Sequence, residues 1–454
     1  MSALDLGDIQ GFIMRSYMMP TLRVFVLRVV EPGRARATLG AMVGEKPGVP
    51  QVTTAAQWSE KPEYCVNIAI THGGLEALQV PQASLQTFPP EFVEGVVARA
   101  DRVGDSGPSA PSTWKGGLAG PGVHILLLLF AQDAAARERE TARWRSRLGE
   151  SGLVEQFCQD GDALPGNLAH FGYRDGFSQP TIEGGLPGLI PDPLPAAPAG
   201  SFLLGHPSQF QDFTYPVPQP DDLGRNGTFM ALRILEQDCA AFERFLAEAP
   251  DRYGISGELL AAKICGRWRN GVPLSLSPDT DAPDPPIADE QMGSFDYVPT
   301  PANPDAFDDR KGTRCPIGSH IRRMNPRHAS VAGGGGLKRR IIRRGLPYGP
   351  PFDVSHPEDG LERGLVGLFI GVSLKDQFEF LMKDWVNKGD FAPGISGTRD
   401  VIIGVNADVD NRFVIPRAGE PPIVVTGFPQ FVKTRGAAYG FLPSITAIRH
   451  LAAV

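Results

Sequence analysis

Cysteine is scarce in this chain of 454 residues, and its five cysteines are scattered. They contain no CxxC pair, the spacing typical of zinc modules, and their odd number does not suit a framework of disulfide bonds. The lack of a disulfide framework fits a reducing compartment, where disulfides are rare. The first residues, MSALDLGDIQGFIM, also lack the basic segment followed by an apolar one that directs secretion. We therefore expect a cytoplasmic protein without structural zinc.

Long apolar runs and an excess of positive charge are also missing. The best apolar run, residues 123–131, is half the roughly 18 residues that a membrane-spanning helix needs. The formal net charge is −7, which favours neither nucleic acid nor an acidic membrane as a partner. No glycine-rich phosphate loop follows any strand-like segment. The sequence thus predicts no membrane span, no nucleic-acid partner and no nucleotide-binding loop.

Glycine (53 residues) and proline (43 residues) are abundant instead, which predicts long, turn-rich connections. Between these connections, apolar runs of strand length precede amphipathic stretches of helix length. The five such units are 23–30 with 33–42, 65–70 with 72–78, 123–130 with 134–148, 228–234 with 238–247, and 364–372 with 375–385.

A proline-dense segment, residues 184–226, separates the first three units from the last two. Proline lacks the backbone N–H group, so this segment cannot form a regular helix or a central strand. We place a domain boundary near its end, between residues 1–222 and residues 223–454. Each half is predicted to be an α+β unit, a mainly antiparallel sheet with peripheral helices on one face.

An acidic residue between glycines marks the first segment that could carry chemistry, residues 169–180 (AHFGYRDGFSQP). Asp175 lies between Gly172 and Gly176. Glycines that flank an acid indicate a turn at which the backbone comes close to something flat or bulky. The alternative is that Asp175 only caps a turn. On the evidence of this segment alone, that alternative is favoured over a functional role.

A second segment, residues 315–350, combines histidine with clustered cations. It contains His320 and His328, and residues 338–344 include one lysine and four arginines. The cations could form a solvated face, a nucleic-acid patch or a site for carboxylates. The acidic net charge and the lack of interleaved aromatic residues count against nucleic acid. Either histidine could also be an ordinary residue of the core or the surface.

At these segments the sequence resembles the dye-decolorizing peroxidases, haem enzymes that use hydrogen peroxide. Residues 172–176 (GYRDG) look like that family's GxxDG signature. Residues 315–323 (CPIGSHIRR) are similar to the segment that presents its proximal histidine, and residues 343–349 (RRGLPYG) to its distal arginine segment. Other similar motifs follow in the family's order: LGDIQG at 6–11, FLLGHP at 202–207, FMALRILEQD at 229–238, GRWRNGVPL at 266–274 and YGFLPSI at 439–445. Together they cover nearly the whole chain and resemble the longer-chain branch of the family.

The resemblance implies a pair of ferredoxin-like α+β halves, of the dimeric α+β barrel type, with haem b held against the second half. It makes His320 the ligand of the haem iron, with His328 as a rival outside the matching segment. A haem peroxidase needs an imidazole whose other nitrogen donates to a carboxylate, because that bond fixes the tautomer and makes the ligand more basic. Asp400, in GTRDVIIG, resembles that acid. The alternatives are Asp390, Asp408 and Asp410.

On the opposite side of the haem, the resemblance assigns Asp175 as the acid that shuttles a proton of peroxide and Arg343 as the distal cation. Such a reaction needs a proton carrier and a positive charge for the departing oxygen. Arg344 is the alternative to Arg343 and a candidate for contact with the cofactor.

The strand over the distal pocket, which reads GLLF in this branch, reads GLVG here (residues 364–367). Leu365 matches the usual aliphatic residue, whereas Gly367 stands where phenylalanine is common. We expect a more open distal pocket at Gly367, unless a neighbour such as Phe369 fills the space.

The function implied is that of a haem peroxidase that reduces hydrogen peroxide and oxidises bulky dyes, phenols or similar aromatic electron donors. One alternative is a haem carrier or sensor of the same fold, although such a protein needs neither Asp175 nor Arg343. Another is a structural α+β protein without haem. The sequence leaves the oligomeric state open, and a homo-oligomer is compatible with it.

Overall fold

Ten β-strands and a larger number of short helices make up the structure, a computed structural model that describes residues 4–46, 48–186, 194–331, 335–407 and 410–454. The strands are β1 (Thr21–Val29), β2 (Tyr64–Ile70), β3 (Ile125–Ala131), β4 (Leu153–Asp162), β5 (Thr228–Gln237), β6 (Ile342–Tyr348), β7 (Gly364–Gly371), β8 (Arg412–Arg417), β9 (Glu420–Thr426) and β10 (Val432–Leu442).

The α-helices are α1 (Gly11–Met14), α2 (Pro32–Ala41), α3 (His72–Ala77), α4 (Gln82–Leu85), α5 (Pro90–Ala98), α6 (Ala134–Arg145), α7 (Leu148–Ser151), α8 (Asp221–Gly224), α9 (Cys239–Ala247), α10 (Ala249–Tyr253), α11 (Gly257–Cys265), α12 (His320–Met324) and α13 (Ile445–Ala453). Two π-helical segments, Leu374–Glu379 and Leu381–Val386, follow β7. Single turns of 3₁₀-helix lie at Ala100–Val103, Gly107–Ser109, Pro111–Thr113, Pro165–Asn167, Ala199–Ser201, Asp289–Gln291 and Gly336–Arg339.

Eight strands form one antiparallel sheet, in the order β4-β1-β3-β2-β10-β5-β7-β6. The first half contributes β4-β1-β3-β2 and the second half β10-β5-β7-β6. If the four strands of each half are numbered along the chain, both halves have the spatial order 4-1-3-2. Helices connect the first strand of each set to the second and the third to the fourth. This is the ferredoxin-like arrangement, and it confirms the predicted pair of α+β halves. The two sets meet where Phe441 of β10 pairs with Ile70 of β2.

Strand β3 illustrates why these segments form a sheet. Its sequence ILLLLFA is buried along its whole length. A continuous apolar run fits a central strand that is covered on both faces. Helix α6 follows within three residues, because the side chain of Asp133 accepts a hydrogen bond from the Ala136 amide at 2.7 Å and caps the first turn.

The barrel part of the fold prediction needs correction, because the sheet is not closed by hydrogen bonds. The outer strands β4 and β6 do approach each other: a Cβ atom on Gly161 would lie 3.0 Å from the Cβ atom of Leu346. Within the described ranges, however, no ladder joins these two strands. Pro347 lies in β6 and has no N–H group to donate, which weakens pairing at this edge.

Buried contacts join the two halves. The guanidinium of Arg233, on β5, donates to the carboxylate of Asp105 in the first half at 2.6 Å, and both side chains are buried. Arg99 of the first half makes a similar buried pair with Glu379, its Nε atom donating to Oε1 at 2.6 Å. These pairs hold the connection that follows α5 against the second half. The boundary between residues 222 and 223 stays a prediction.

None of the helices in the described residues is both long and apolar enough to cross a membrane.

Candidate active site

One face of the sheet in the second half gathers several of the residues predicted for the site. Arg343 of β6 is paired with Phe369 of β7, and Gly367 of β7 with Arg233 of β5. Residues directly opposite each other in an antiparallel pair project to the same face, and alternate residues of one strand share it. Leu365 therefore lies on this face with Gly367 and Phe369.

A cavity lies against this face. Its walls are mostly apolar and include Leu235, Met324, Ile341, Phe369, Phe378 and Leu381. Met324 belongs to the same short helix as His320, and Ile341 precedes Arg343 by two residues. The cavity therefore adjoins the predicted site, and its walls suit a flat apolar group.

His320 is the first residue of α12 and is held by a buried acid. Its Nδ1 atom lies 3.0 Å from Oδ2 of Asp400, whose side chain is fully buried. The other carboxylate oxygen accepts hydrogen bonds from the amides of Ile402 and Ile403, both at 2.9 Å. With Nδ1 donating to Asp400, the neutral imidazole presents Nε2 as the atom that can bind a metal.

The Asp400 carboxylate remains ionised despite its burial. Burial raises the pKa of a carboxyl group, but the neighbouring His320, Arg323 and the Ile403 amide outweigh it and keep the pKa of Asp400 below its usual range. Arg323 is itself buried, and burial lowers the pKa of its guanidinium to about 10, so it is still charged at neutral pH. It donates to the carbonyls of Gly318 at 3.0 Å and Trp385 at 2.8 Å.

Two of the alternatives to His320 and Asp400, His328 and Asp390, bond other side chains. Nδ1 of His328 pairs with Oδ1 of Asp296 at 2.8 Å. Asp390 is exposed and accepts a hydrogen bond from Ser396 at 2.6 Å. Asp410 is exposed as well. Asp408, the remaining alternative, lies outside the described residues.

Asp175 lies at the end of a tight hairpin, residues 167–175, as the flanking glycines predict. The Ala169 amide donates to the Tyr173 carbonyl at 2.8 Å, and the Asp175 amide donates to the Asn167 carbonyl at 3.0 Å. Gly172 has a φ of +85°, in the left-handed region that favours glycine. The Asp175 side chain is exposed.

Arg343 reaches the same segment just after Asp175. Its Nη2 atom donates to the Ser178 carbonyl at 3.0 Å, and its amide donates to Oε1 of Gln179 at 3.1 Å. The contact between the two segments thus runs through Ser178 and Gln179 and not through the Asp175 carboxylate. The structure brings Asp175 and Arg343, which are far apart in sequence, to one region.

Arg344 was predicted as a candidate for contact with the cofactor, and this stays a prediction that the direction of its side chain does not favour. Consecutive residues of a strand project to opposite faces, so Arg344 points away from the face that carries Arg343. Its Nε atom donates to the carbonyl of Phe12 in the first half at 3.0 Å. Burial lowers the pKa of the Arg344 guanidinium to about 10.

Phe369 fills the space at Gly367. A Cβ atom on Gly367 would lie 2.8 Å from Cε2 of the Phe369 ring. That ring also stacks on Phe378, with ring centroids 5.6 Å apart and an angle of 30° between the planes. The expected open pocket is therefore not found, and the structure favours the alternative, in which a ring two residues farther along β7 covers the glycine.

Sequence reasoning missed two groups that shape the site. Arg323 lies three residues after His320 in the motif CPIGSHIRR, one helical turn away, and that spacing was the available signal. Asn167 lies eight residues before Asp175, and no motif marks it.

Comparisons with known proteins agree on one family of relatives. A scan against protein-family models matched none of them. Among curated proteins, Peroxidase 2 of Mycetinis scorodonius is 30% identical over 478 residues, which cover 99% of this chain and 88% of the relative. The dye-decolorizing peroxidase of Mycena epipterygia is 30% identical over 499 residues, with the same coverage.

Solved structures give the same result. The DyP-type peroxidase of Auricularia auricula-judae superposes with a TM-score of 0.83 at 27% identity, over 100% of both chains. An ancestral D-type dye-decolorizing peroxidase superposes with a TM-score of 0.84 at 27% identity, again over 100% of both chains.

Replacing Asp400 with asparagine tests the acid that supports His320. A neutral amide no longer makes the imidazole strongly basic, so the ferric state of a bound haem loses support and its reduction potential rises. Spectroelectrochemistry measures the shift. Asp390→Asn, at an exposed acid, is the control and should leave the potential unchanged. An unchanged potential in Asp400→Asn would move the role to another acid.

Gly367→Phe tests whether Phe369 already occupies the space. The added ring should overpack the site and cost roughly 1–3 kcal/mol of stability. Thermal melting measures the loss, and the double variant Gly367→Phe with Phe369→Ala should recover much of it. The contradicting result is an unchanged melting temperature of Gly367→Phe together with weaker ligand binding. Imidazole would then lose more affinity than cyanide, because it is the larger ligand, and the distal pocket would be open as first expected.

Proposed function

Because this chain belongs to the dye-decolorizing peroxidase family, it is a haem peroxidase, and we propose that the residues described above hold haem b and activate hydrogen peroxide. The observation that carries this proposal is the bond between His320 and the buried Asp400. When bound, haem supplies the iron at which peroxide is reduced and the oxidising equivalents that an electron donor then consumes.

The residues present fit a haem. His320 offers a ring nitrogen whose partner is fixed by a carboxylate, as an iron ligand requires. Met324, Leu381 and Phe369 offer apolar surface for a porphyrin in the adjoining cavity. Within the described ranges, no cluster of three or more histidine, cysteine or acidic side chains could hold a metal ion directly. A histidine with one free ring nitrogen and an apolar cavity would suit an iron porphyrin.

In this proposal Asp175 moves the proton and Arg343 stabilises charge. The Asp175 carboxylate takes the proton from one oxygen of hydrogen peroxide and returns it to the other. The Arg343 guanidinium stabilises negative charge on the departing oxygen, which leaves as water once it has received that proton. A haem carrier or sensor would need neither side chain, so their common location supports the enzyme over that alternative.

We infer that phenols and dyes are the electron donors. A related dye-decolorizing peroxidase, 26% identical with a TM-score of 0.82, has been solved in complex with 2,6-dimethoxyphenol. Because this chain belongs to the same family, we infer that it accepts electrons from the same class of aromatic donor. A cytoplasmic location and a homo-oligomer stay proposals; all five cysteines are unpaired, which supports a reducing compartment.

Asp175→Asn tests the proton carrier. It should leave the haem content unchanged and slow the reaction with hydrogen peroxide by about 10²- to 10⁴-fold, the usual loss for a general acid–base. Stopped-flow mixing with peroxide measures it. Asp289→Asn is the matched control, because that exposed acid pairs with Arg174, the residue next to Asp175. A much larger loss in Arg343→Leu than in Asp175→Asn would make the arginine the dominant group and the assignment wrong.

A further inference from the structure

Asn167 makes two hydrogen bonds to the backbone of Asp175, one to its N–H group and one to its carbonyl group. The Asn167 carbonyl accepts a hydrogen bond from the Asp175 amide at 3.0 Å. The Asn167 side chain returns the contact, with Nδ2 donating to the Asp175 carbonyl at 2.7 Å. These two bonds hold the peptide groups before and after Asp175, and the orientation of those groups sets the direction of the bond from Cα to the side chain.

The conformation at residue 167 selects asparagine. Its φ is +58°, in the left-handed region that few residues other than glycine, asparagine and aspartate adopt readily. Glycine would lack the side-chain donor, and an ionised aspartate would present only acceptors to a carbonyl. Gly176 makes room for the amide, because a Cβ atom there would lie 2.9 Å from Nδ2 of Asn167.

The Asp175 carboxylate has one oxygen committed and one available. Oδ1 accepts a hydrogen bond from the Gly176 amide at 2.7 Å. Oδ2 accepts none from the described residues, which leaves it for a proton. The proton carrier must come within about 2.6–3.2 Å of the atom that it serves, so the aim of this oxygen matters. A displacement of about 1 Å can cost as much as 10²-fold in rate.

Other hydrogen bonds hold the hairpin of residues 167–175 and the segment after it in place, but they do not involve Asp175. Nε2 of His170 bonds the carbonyl of Tyr348 at 2.8 Å and ties the hairpin to the end of β6. Beyond the hairpin, Arg343 holds Ser178. Among the described residues, Asn167 is therefore the one whose side chain bonds the Asp175 peptide itself.

We propose that Asn167 is a positioning residue that aims Oδ2 of Asp175 through these two hydrogen bonds. The inference rests on the proposed function, in which Asp175 carries the proton of peroxide. Asn167 does not exchange a proton itself, so its effect on the reaction must pass through Asp175.

A double-mutant cycle on the haem-loaded protein tests this inference. Asn167→Gly keeps the left-handed backbone and removes the donor, and it is compared alone and together with Asp175→Asn. Two rates are measured by stopped flow: the reaction with hydrogen peroxide, and the binding of cyanide across a range of pH. Hydrogen cyanide must lose its proton as it binds, so its rate reports a nearby base without any turnover.

We expect Asn167→Gly to slow both rates roughly 3- to 10-fold, as the loss of one hydrogen bond would. In the Asp175→Asn background it should slow neither further, because the group that it positions is already gone. Leu168→Ala is the matched control; this exposed residue of the same hairpin should leave both rates unchanged.

Each other outcome overturns a different statement. If Asp175→Asn slows both rates and Asn167→Gly slows neither, the positioning role is wrong and the proposed function stands. If the two substitutions act additively, or if Leu168→Ala slows the rates as much as Asn167→Gly, the effect does not pass through Asp175. If Asp175→Asn itself leaves both rates unchanged, the proton-carrier role fails, and the inference fails with it.

Discussion

The bond between His320 and Asp400 is the interaction on which the rest of the site depends. A carboxylate without exposed surface is costly unless it is paired, and Asp400 is paired with an imidazole, two backbone amides and the field of a buried arginine. Those contacts fix the segment after Asp400 and the start of α12 relative to each other. They also decide the chemistry of the imidazole, because Nδ1 is used and Nε2 is the atom left for iron.

The sheet positions other side chains of the site. Pairing of β6, β7 and β5 sets which side chains share a face, so Arg343, Phe369 and Gly367 lie together by register alone. The hairpin that carries Asp175 comes from the first half and is tied to β6 of the second. The site therefore needs both halves, and the buried pair of Arg233 with Asp105 helps to hold them together.

Much of the architecture could be predicted from local sequence. Strand β3 is a continuous apolar run that is buried throughout, and helix α9 buries Phe242, Phe245 and Leu246, which recur at helical spacing. The assignment of His320, Asp400, Asp175 and Arg343 came from the resemblance to a family, because spacing along the chain says little about which distant residues meet.

What the sequence left undecided has physical causes. Arg343 and Arg344 look equivalent in sequence, whereas a strand sends adjacent side chains to opposite faces. The Phe369 ring stacks on Phe378 and covers Gly367. The sequence named Phe369 as a neighbour that could fill this space, but it could not show where the ring lies. The resemblance implied the dimeric α+β barrel type, and within the described residues no ladder between β4 and β6 closes the sheet.

The most direct test of the central claim is the absorption spectrum of the purified protein beside those of His320→Ala and His328→Ala. If His320 binds the haem iron, the wild-type protein and His328→Ala show the same Soret band, and His320→Ala loses it or shifts it. A Soret band that survives unchanged in His320→Ala but disappears in His328→Ala would contradict the account, because the ligand would then be the histidine paired with Asp296.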